Sequence, residues 1–255
     1  MKNLPNVFTL LNLVFGCIAI IFILQNGIAI FSDTANGVQL IDIPEKIWMA
    51  SLFIGLAALV DFLDGFVARL FKSISEMGKQ LDSLADLVSF GVAPGLIIYQ
   101  FLRMSYAQEA NGLNTSVIWL WPSLLIPCAA AWRLAKFNLN TGNSYSFKGM
   151  PVPATGLFIA SLPLIYWHGN EEWANQLLVN KWVLYGIILI FSGLMISNIP
   201  FLSLKFRNLN VKSNLPQFIL LLMAAIALFI FKWLAAPVII LAYVLVSLIF
   251  KNKLA

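Results

Sequence analysis

Hydrophobic residues run along this chain in long stretches separated by short polar segments. The apolar runs lie near 8–30, 47–71, 84–103, 116–137, 151–168, 181–201, 215–232 and 235–251. The first carries no charge from Thr9 to Leu24. Runs of this length match the roughly 20 residues that cross a bilayer as a helix. Hydrocarbon offers no water to satisfy the main chain, so such runs predict helices rather than strands. A membrane barrel would show segments of about ten alternating residues, and the chain has none. The pattern predicts eight spanning helices, the last two joined by a very short turn at Lys232–Pro237 into a hairpin. Lys2 precedes a full-length apolar run with no small-residue cleavage pattern after it, so the first run reads as a retained helix and not a signal peptide.

Composition sharpens this picture. Of 255 residues, 60% are hydrophobic and only 11% charged, against about 25% charged in soluble domains. That excludes a soluble globule, which would lack polar surface, and it excludes disorder. Two cysteines are too few for a disulfide scaffold. Cys17 and Cys128 fall mid-span and read as packing residues. With eight spans, twelve of the sixteen Lys and Arg lie on the side that holds both termini, and four on the other. This bias predicts cytoplasmic termini. The net charge of +5 is then explained by topology and by anionic lipid head groups, not by nucleic acid. Trp119, Trp121, Trp167, Trp173 and Trp182 fit an aromatic belt at the outer interface. His168 stands alone beside an acidic outer loop, without the partners a metal site needs. The segment 31–46 reads as a polar external loop.

The acids divide unevenly. Six of the eleven fall in outer loops, and Glu76 falls in a cytoplasmic turn. The remaining four, Asp61, Asp64, Asp82 and Asp86, lie at the cytoplasmic ends of the second and third spans. Asp61 and Asp64 are three apart, and Asp82 and Asp86 four apart, so each pair shares a helix face. A tight turn near 72–77 predicts an antiparallel hairpin that brings all four together. Four carboxylates cannot stay ionised side by side without a compensating cation. An oxygen-only donor set suits Mg²⁺ or Mn²⁺, and four carboxylates can hold two such ions. A metal pair of that kind forms a clamp for displacement at phosphorus. Gly65 and Gly78 suit close approach of a ligand to the backbone or, equally, close helix packing. Arg69 stands where a guanidinium could meet a phosphate in bidentate fashion. The competing reading is a surface turn salt-bridged by Arg69, Lys72 and Lys79.

The spacing D-x2-D-G-x2-A-R-x8-G-x3-D-x3-D is carried by Asp61, Asp64, Gly65, Ala68, Arg69, Gly78, Asp82 and Asp86. It resembles the signature of the CDP-alcohol phosphatidyltransferase family, with every fixed position matched. A finer resemblance is to the phosphatidylserine synthase branch. It rests on PNVFTLLNLVFG at 5–16, LDSLADLVSFGVAPG at 81–95, WRLAKFN at 132–138 and FKGMPVPATG at 147–156. One departure is Lys136, where the branch more often has arginine; lysine keeps the charge but loses the planar fork.

The resemblance implies an all-α polytopic membrane bundle: a six-helix core plus two further C-terminal helices, with 1–202 as the catalytic core and 203–255 as a terminal hairpin of the same domain. It implies a homodimer in a bacterial inner membrane with its active site facing the cytoplasm. It implies transfer of the phosphatidyl group of CDP-diacylglycerol to L-serine with release of CMP, using two divalent metals. Asp61 and Asp82 would then bridge both ions, Asp64 would hold the first and Asp86 the second, and Asp86 would also act as general base. Gly65, Arg69, Ser75 and Gly78 would contact the CDP-diacylglycerol, with Asn6 and Thr9 near the nucleotide. Arg133, Lys136 and Lys148 form a positive group suited to the acceptor carboxylate or a lipid phosphate; positive-inside topology explains them equally. Other acceptors, glycerol phosphate or inositol phosphate, stay open, as do an ion-coupled transporter and a metal-dependent prenyl transferase.

Overall fold

Helix follows helix through the computed structural model, which describes residues 4–25, 29–33, 38–42, 46–70, 75–109, 115–139, 147–169, 171–202 and 215–250. α1 (Leu4–Leu24) and α2 (Ile47–Leu70) pack side by side. Phe53 of α2 meets Phe15 and Phe22 of α1, with ring centroids 6.0 and 5.5 Å apart. The first span ends earlier than hydropathy predicts, at Leu24. Beyond it, β1 (Ala29–Asp33) pairs antiparallel with β2 (Val38–Asp42), Phe31 opposite Leu40. Most of the expected external loop is thus a small hairpin.

α3 (Glu76–Asp86) starts at Ser75, whose hydroxyl accepts from the Gly78 N–H at 3.0 Å. This N-cap satisfies one of the free donors of the first turn. The helix continues through one π turn, Leu87–Val92, into α4 (Ala93–Ala107). Pro94 supplies a local reason, because it has no N–H for the Phe90 carbonyl four residues back. Ala93 N–H bonds instead to Val88 O, five back. The third span therefore reaches from Glu76 to Ala107 as 32 helical residues, longer at both ends than the run 84–103.

Two 3-10 turns, Val117–Trp119 and Trp121–Leu124, lead into α5 (Leu125–Leu139). α6 (Val152–His168) is followed by α7 (Glu172–Leu178) and α8 (Lys181–Ile196), which meet at a 68° bend. β3 (Phe147–Lys148) pairs with β4 (Pro200–Phe201), tying the start of α6 to the end of α8. α9 (Leu215–Phe231) and α10 (Ala235–Ile249) are separated by the 3-10 turn Lys232–Leu234, with Lys232 at φ 47°. Trp233 lies 5.2 Å from the His168 ring at the end of α6. Tyr243 of α10 donates its hydroxyl to Leu202 O at 3.0 Å, beside β4. α10 therefore runs back along the bundle from the His168 end.

Among the described residues, five helical segments can cross a membrane by length and composition, or six if α7 and α8 count as one bent span. The difference from eight runs has two sources. α6 has only 17 residues, and Leu215–Ile249 counts as one apolar stretch despite the break at Lys232. The polytopic all-helical architecture stands, and the chain is an integral membrane protein.

The core gathers around the π turn. Phe90, Ile97, Ile98 and Phe101 are fully buried there, with Ile126 of α5 and Ile159 of α6. Gly156 of α6 makes this possible, since a Cβ there would lie 2.9 Å from Phe90 Cα. Lipid tails are as apolar as leucine, so close backbone packing rather than water exclusion holds such helices together. Large side chains such as Leu189, Phe229 and Ile249 remain exposed on the outside, as a lipid-facing surface requires.

Candidate active site

α2 and α3 bring the four aspartates to one end of the bundle. One carboxylate oxygen from each of Asp61, Asp64 and Asp82 lies within 4.8 Å of the others. Asp61 interacts electrostatically with Asp64, Asp82 and Asp86. Asp64 and Asp86 are the buried members, 7% and 8% exposed. The two aspartate pairs thus converge as their spacing predicts, while the turn near 72–77 falls largely outside the described residues.

α1 supplies the third wall. Thr9 donates its hydroxyl to Asp64 Oδ2 at 2.9 Å, and Asn12 donates Nδ2 to Asp86 Oδ1 at 3.3 Å. Thr9 and Asn12 are three apart, so one face of α1 serves both aspartate pairs. Ser89, in the π turn, donates to Asn12 O at 3.0 Å. These bonds aim the carboxylates but bring no positive charge to them.

The donor set fits a hard divalent ion. Converging carboxylate oxygens repel one another in a medium of low dielectric unless a cation lies between them. Lys79, a candidate counter-ion for the turn, is engaged elsewhere: its Nζ donates to Asn138 O at 3.1 Å. The salt bridge found among the described residues joins Lys181 to Glu109, away from the cluster. A surface turn neutralised by Lys79 is thus not what forms.

The expected donor-binding residues fall into two groups. Gly65 is open: no atom lies within 4 Å of where its Cβ would stand. A substrate can approach the α2 backbone there. Gly78 is close-packed instead, with the Ser75 hydroxyl 3.0 Å and Asn6 Oδ1 3.1 Å from its absent Cβ. Asn6, Ser75 and Gly78 therefore meet where α1 passes the start of α3. The Arg69 side chain lies outside the described residues, as does Lys72.

The three cations suggested for the acceptor do not act as a group. Arg133 of α5 is buried, stacks 5.7 Å from the Phe137 ring and lies within electrostatic reach of Asp86 and Tyr243. Lys136 donates to Asn198 Oδ1 at 2.7 Å. Lys148 is exposed on β3. Cys17 and Cys128 are unpaired and exposed on the bundle surface.

Several residues escape a reading of the sequence. Asn12 was visible as an uncharged amide inside an apolar helix, an expensive choice in a membrane. Gly16, Ser89 and Gly156 lie in the stretches that carry the family resemblance but have no chemistry of their own to mark them. Tyr243 belongs to a helix that hydropathy alone describes.

The sequence pattern of the CDP-alcohol phosphatidyltransferase family matches residues 2–193. The chain belongs to this family. Among its relatives, a CDP-diacylglycerol–serine O-phosphatidyltransferase of Helicobacter pylori (strain J99) is 32% identical over 266 residues, covering 98% of this chain and 96% of its own. The enzyme of the same name from Mycobacterium leprae is 32% identical over 207 residues, 78% of this chain and 61% of that one. That from Saccharomyces cerevisiae is 42% identical over 121 residues, 44% of this chain and 40% of its own. The resemblance to the serine-accepting branch thus holds, and the Helicobacter match continues past the family pattern into α9 and α10.

Proposed function

We propose that this family member transfers the phosphatidyl group of CDP-diacylglycerol to the hydroxyl of L-serine, giving phosphatidylserine and CMP. The observation that carries the reading is the convergence of Asp61, Asp64 and Asp82 beside the buried Asp86. Asp61 and Asp82 would be shared by two Mg²⁺ or Mn²⁺ ions, with Asp64 on one and Asp86 on the other. When bound, such ions neutralise the pyrophosphate and the charge that develops on leaving CMP.

The chain's own groups perform the remaining work. The serine oxygen forms a bond to the phosphorus carrying diacylglycerol, the bond from that phosphorus to CMP breaks, and CMP leaves with the electron pair. A serine hydroxyl is a weak nucleophile while protonated, so Asp86 takes its proton. Asn12 holds the Asp86 carboxylate in place, and Thr9 does the same for Asp64. The open backbone at Gly65 admits the donor, with Asn6, Ser75, Gly78 and Arg69 toward its nucleotide end. Arg133, buried within electrostatic reach of Asp86, is suited to the serine carboxylate. Lys79, Arg133, Lys136 and Lys148 share this end of the chain's topology, which supports a cytoplasmic active site in a bacterial inner membrane.

The test is CMP release by purified protein in nanodiscs containing CDP-diacylglycerol, with Mn²⁺ or Mg²⁺ and labelled serine. Phosphatidylserine and CMP are expected in equal amounts. Faster CMP release with glycerol phosphate or inositol phosphate than with serine overturns the acceptor. No release with any acceptor alcohol overturns the enzyme reading in favour of transport.

A further inference from the structure

Two buried side chains, one bonded to Asp86 and one within its electrostatic reach, carry polar atoms that the fold leaves without partners. Asn12 is 0% exposed; its Nδ2 is committed to Asp86, but its Oδ1 accepts no hydrogen bond. Arg133 is 8% exposed, and its Nε donates to nothing. Buried polar atoms in native structures nearly always find a partner, and leaving one unpaired costs as much as the bond it forgoes. One of these side chains bonds Asp86 and the other lies within its electrostatic reach, and two such unpaired atoms point to a ligand.

The two atoms are of opposite kind. Asn12 Oδ1 is an acceptor and calls for a donor. Arg133 Nε is a donor on a cation and calls for an anion. An α-amino acid presents both needs on one carbon, an ammonium and a carboxylate. A polyol phosphate offers the anion but no ammonium.

Asn12 is also held in place. Ser89 Oγ donates to the Asn12 carbonyl at 3.0 Å, and Gly16, one turn on, leaves room for Ser89. With its backbone pinned and Nδ2 on Asp86, the amide presents Oδ1 as its free acceptor.

We propose that Asn12 Oδ1 accepts a hydrogen bond from the α-ammonium of the acceptor and so selects an amino acid over a polyol phosphate. The inference rests on the reading that serine is the acceptor, and it adds the residue that recognises the amino group. Asn12 acts here through contact with the substrate, in addition to orienting Asp86.

The test uses full-length protein in nanodiscs with CDP-diacylglycerol and Mn²⁺, and two ligands: L-serine, and 3-hydroxypropanoate, which is serine without its amino group. Wild-type protein should bind 3-hydroxypropanoate about 10- to 100-fold more weakly than serine, the size of one hydrogen bond to a charged group. Asn12→Ala should raise the serine KM by about the same factor but leave the 3-hydroxypropanoate inhibition constant far less changed, both read at saturating Mn²⁺ because the variant also releases Asp86. Asn12→Ser, which keeps a short acceptor, should recover part of the loss. An equal loss for both ligands overturns the proposal. Should the variants not fold, equal binding of the two ligands by wild-type protein overturns it by itself. Wild-type protein that releases no CMP with serine defeats the acceptor reading, a result distinct from serine turnover indifferent to Asn12.

Discussion

Gly16 of α1 lies so close to Ser89 of the π turn that a Cβ on the glycine would stand 2.9 Å from the Ser89 Cα. The contact lets Ser89 reach the Asn12 carbonyl and fixes the depth of α1 against Asp86. Gly156 grips the other side of the same turn, with its absent Cβ 2.9 Å from Phe90 Cα and 3.0 Å from Phe90 O. In both cases the neighbour is backbone and cannot rotate away. Gly16→Ala and Gly156→Ala should each destabilise the protein by about 1–3 kcal/mol, the usual cost of overpacking. Thermal unfolding in detergent reads this; an unchanged midpoint for either variant contradicts the packing argument.

Asp86→Asn keeps the size of the side chain and the Asn12 contact but removes the base and the charge. Turnover should fall by at least roughly 100-fold, the scale of general-base catalysis. Size-exclusion and circular dichroism profiles should match wild type. Retained CMP release would remove Asp86 from the chemistry.

Chelation should abolish CMP release, and added Mg²⁺ or Mn²⁺ should restore it. Thr9→Val removes the hydroxyl that donates to Asp64 while keeping the shape. It should raise the metal concentration needed for half-maximal rate several-fold, with second-shell effects of about 10-fold being usual. The measurement is a metal titration of initial rate. Equal curves for wild type and variant would show that Thr9 does not aim Asp64.

Arg133→Ala should raise the serine KM strongly, because it takes the buried cation away from Asp86. Lys136→Ala should raise it much less, since that ammonium is already spent on Asn198. Parallel KM measurements decide. Similar effects from both would restore the view of one shared positive group.

Tyr243→Phe should cost about 1 kcal/mol by removing the hydroxyl bond to Leu202 O. Ser247 also bonds Leu202, accepting from its N–H at 3.1 Å while donating its own hydroxyl to Tyr243 O. The variant should lower the unfolding midpoint while leaving the metal titration unchanged. A change in metal dependence would mean that α10 acts on the cluster itself.

Much of this protein follows from residue order. A bilayer leaves a backbone few choices, so long apolar runs had to become helices. A helical turn of 3.6 residues puts Asp61 beside Asp64 and Asp82 beside Asp86, and a short connection folds one pair onto the other. Both rules are local and leave a period in the sequence. The tertiary structure decided what has no period. It set α1 against the cluster, so that Thr9 and Asn12 hold two aspartates from 55 and 74 residues away. It placed the π turn after Asp86, where Pro94 withholds a donor and two glycines admit neighbouring backbone. It parted Arg133 from Lys136, three positions apart on one helix, by giving the first a buried place near Asp86 and the second a bond to Asn198. Charge and spacing along a chain show which groups are available; only packing between distant segments settles which partner each one meets.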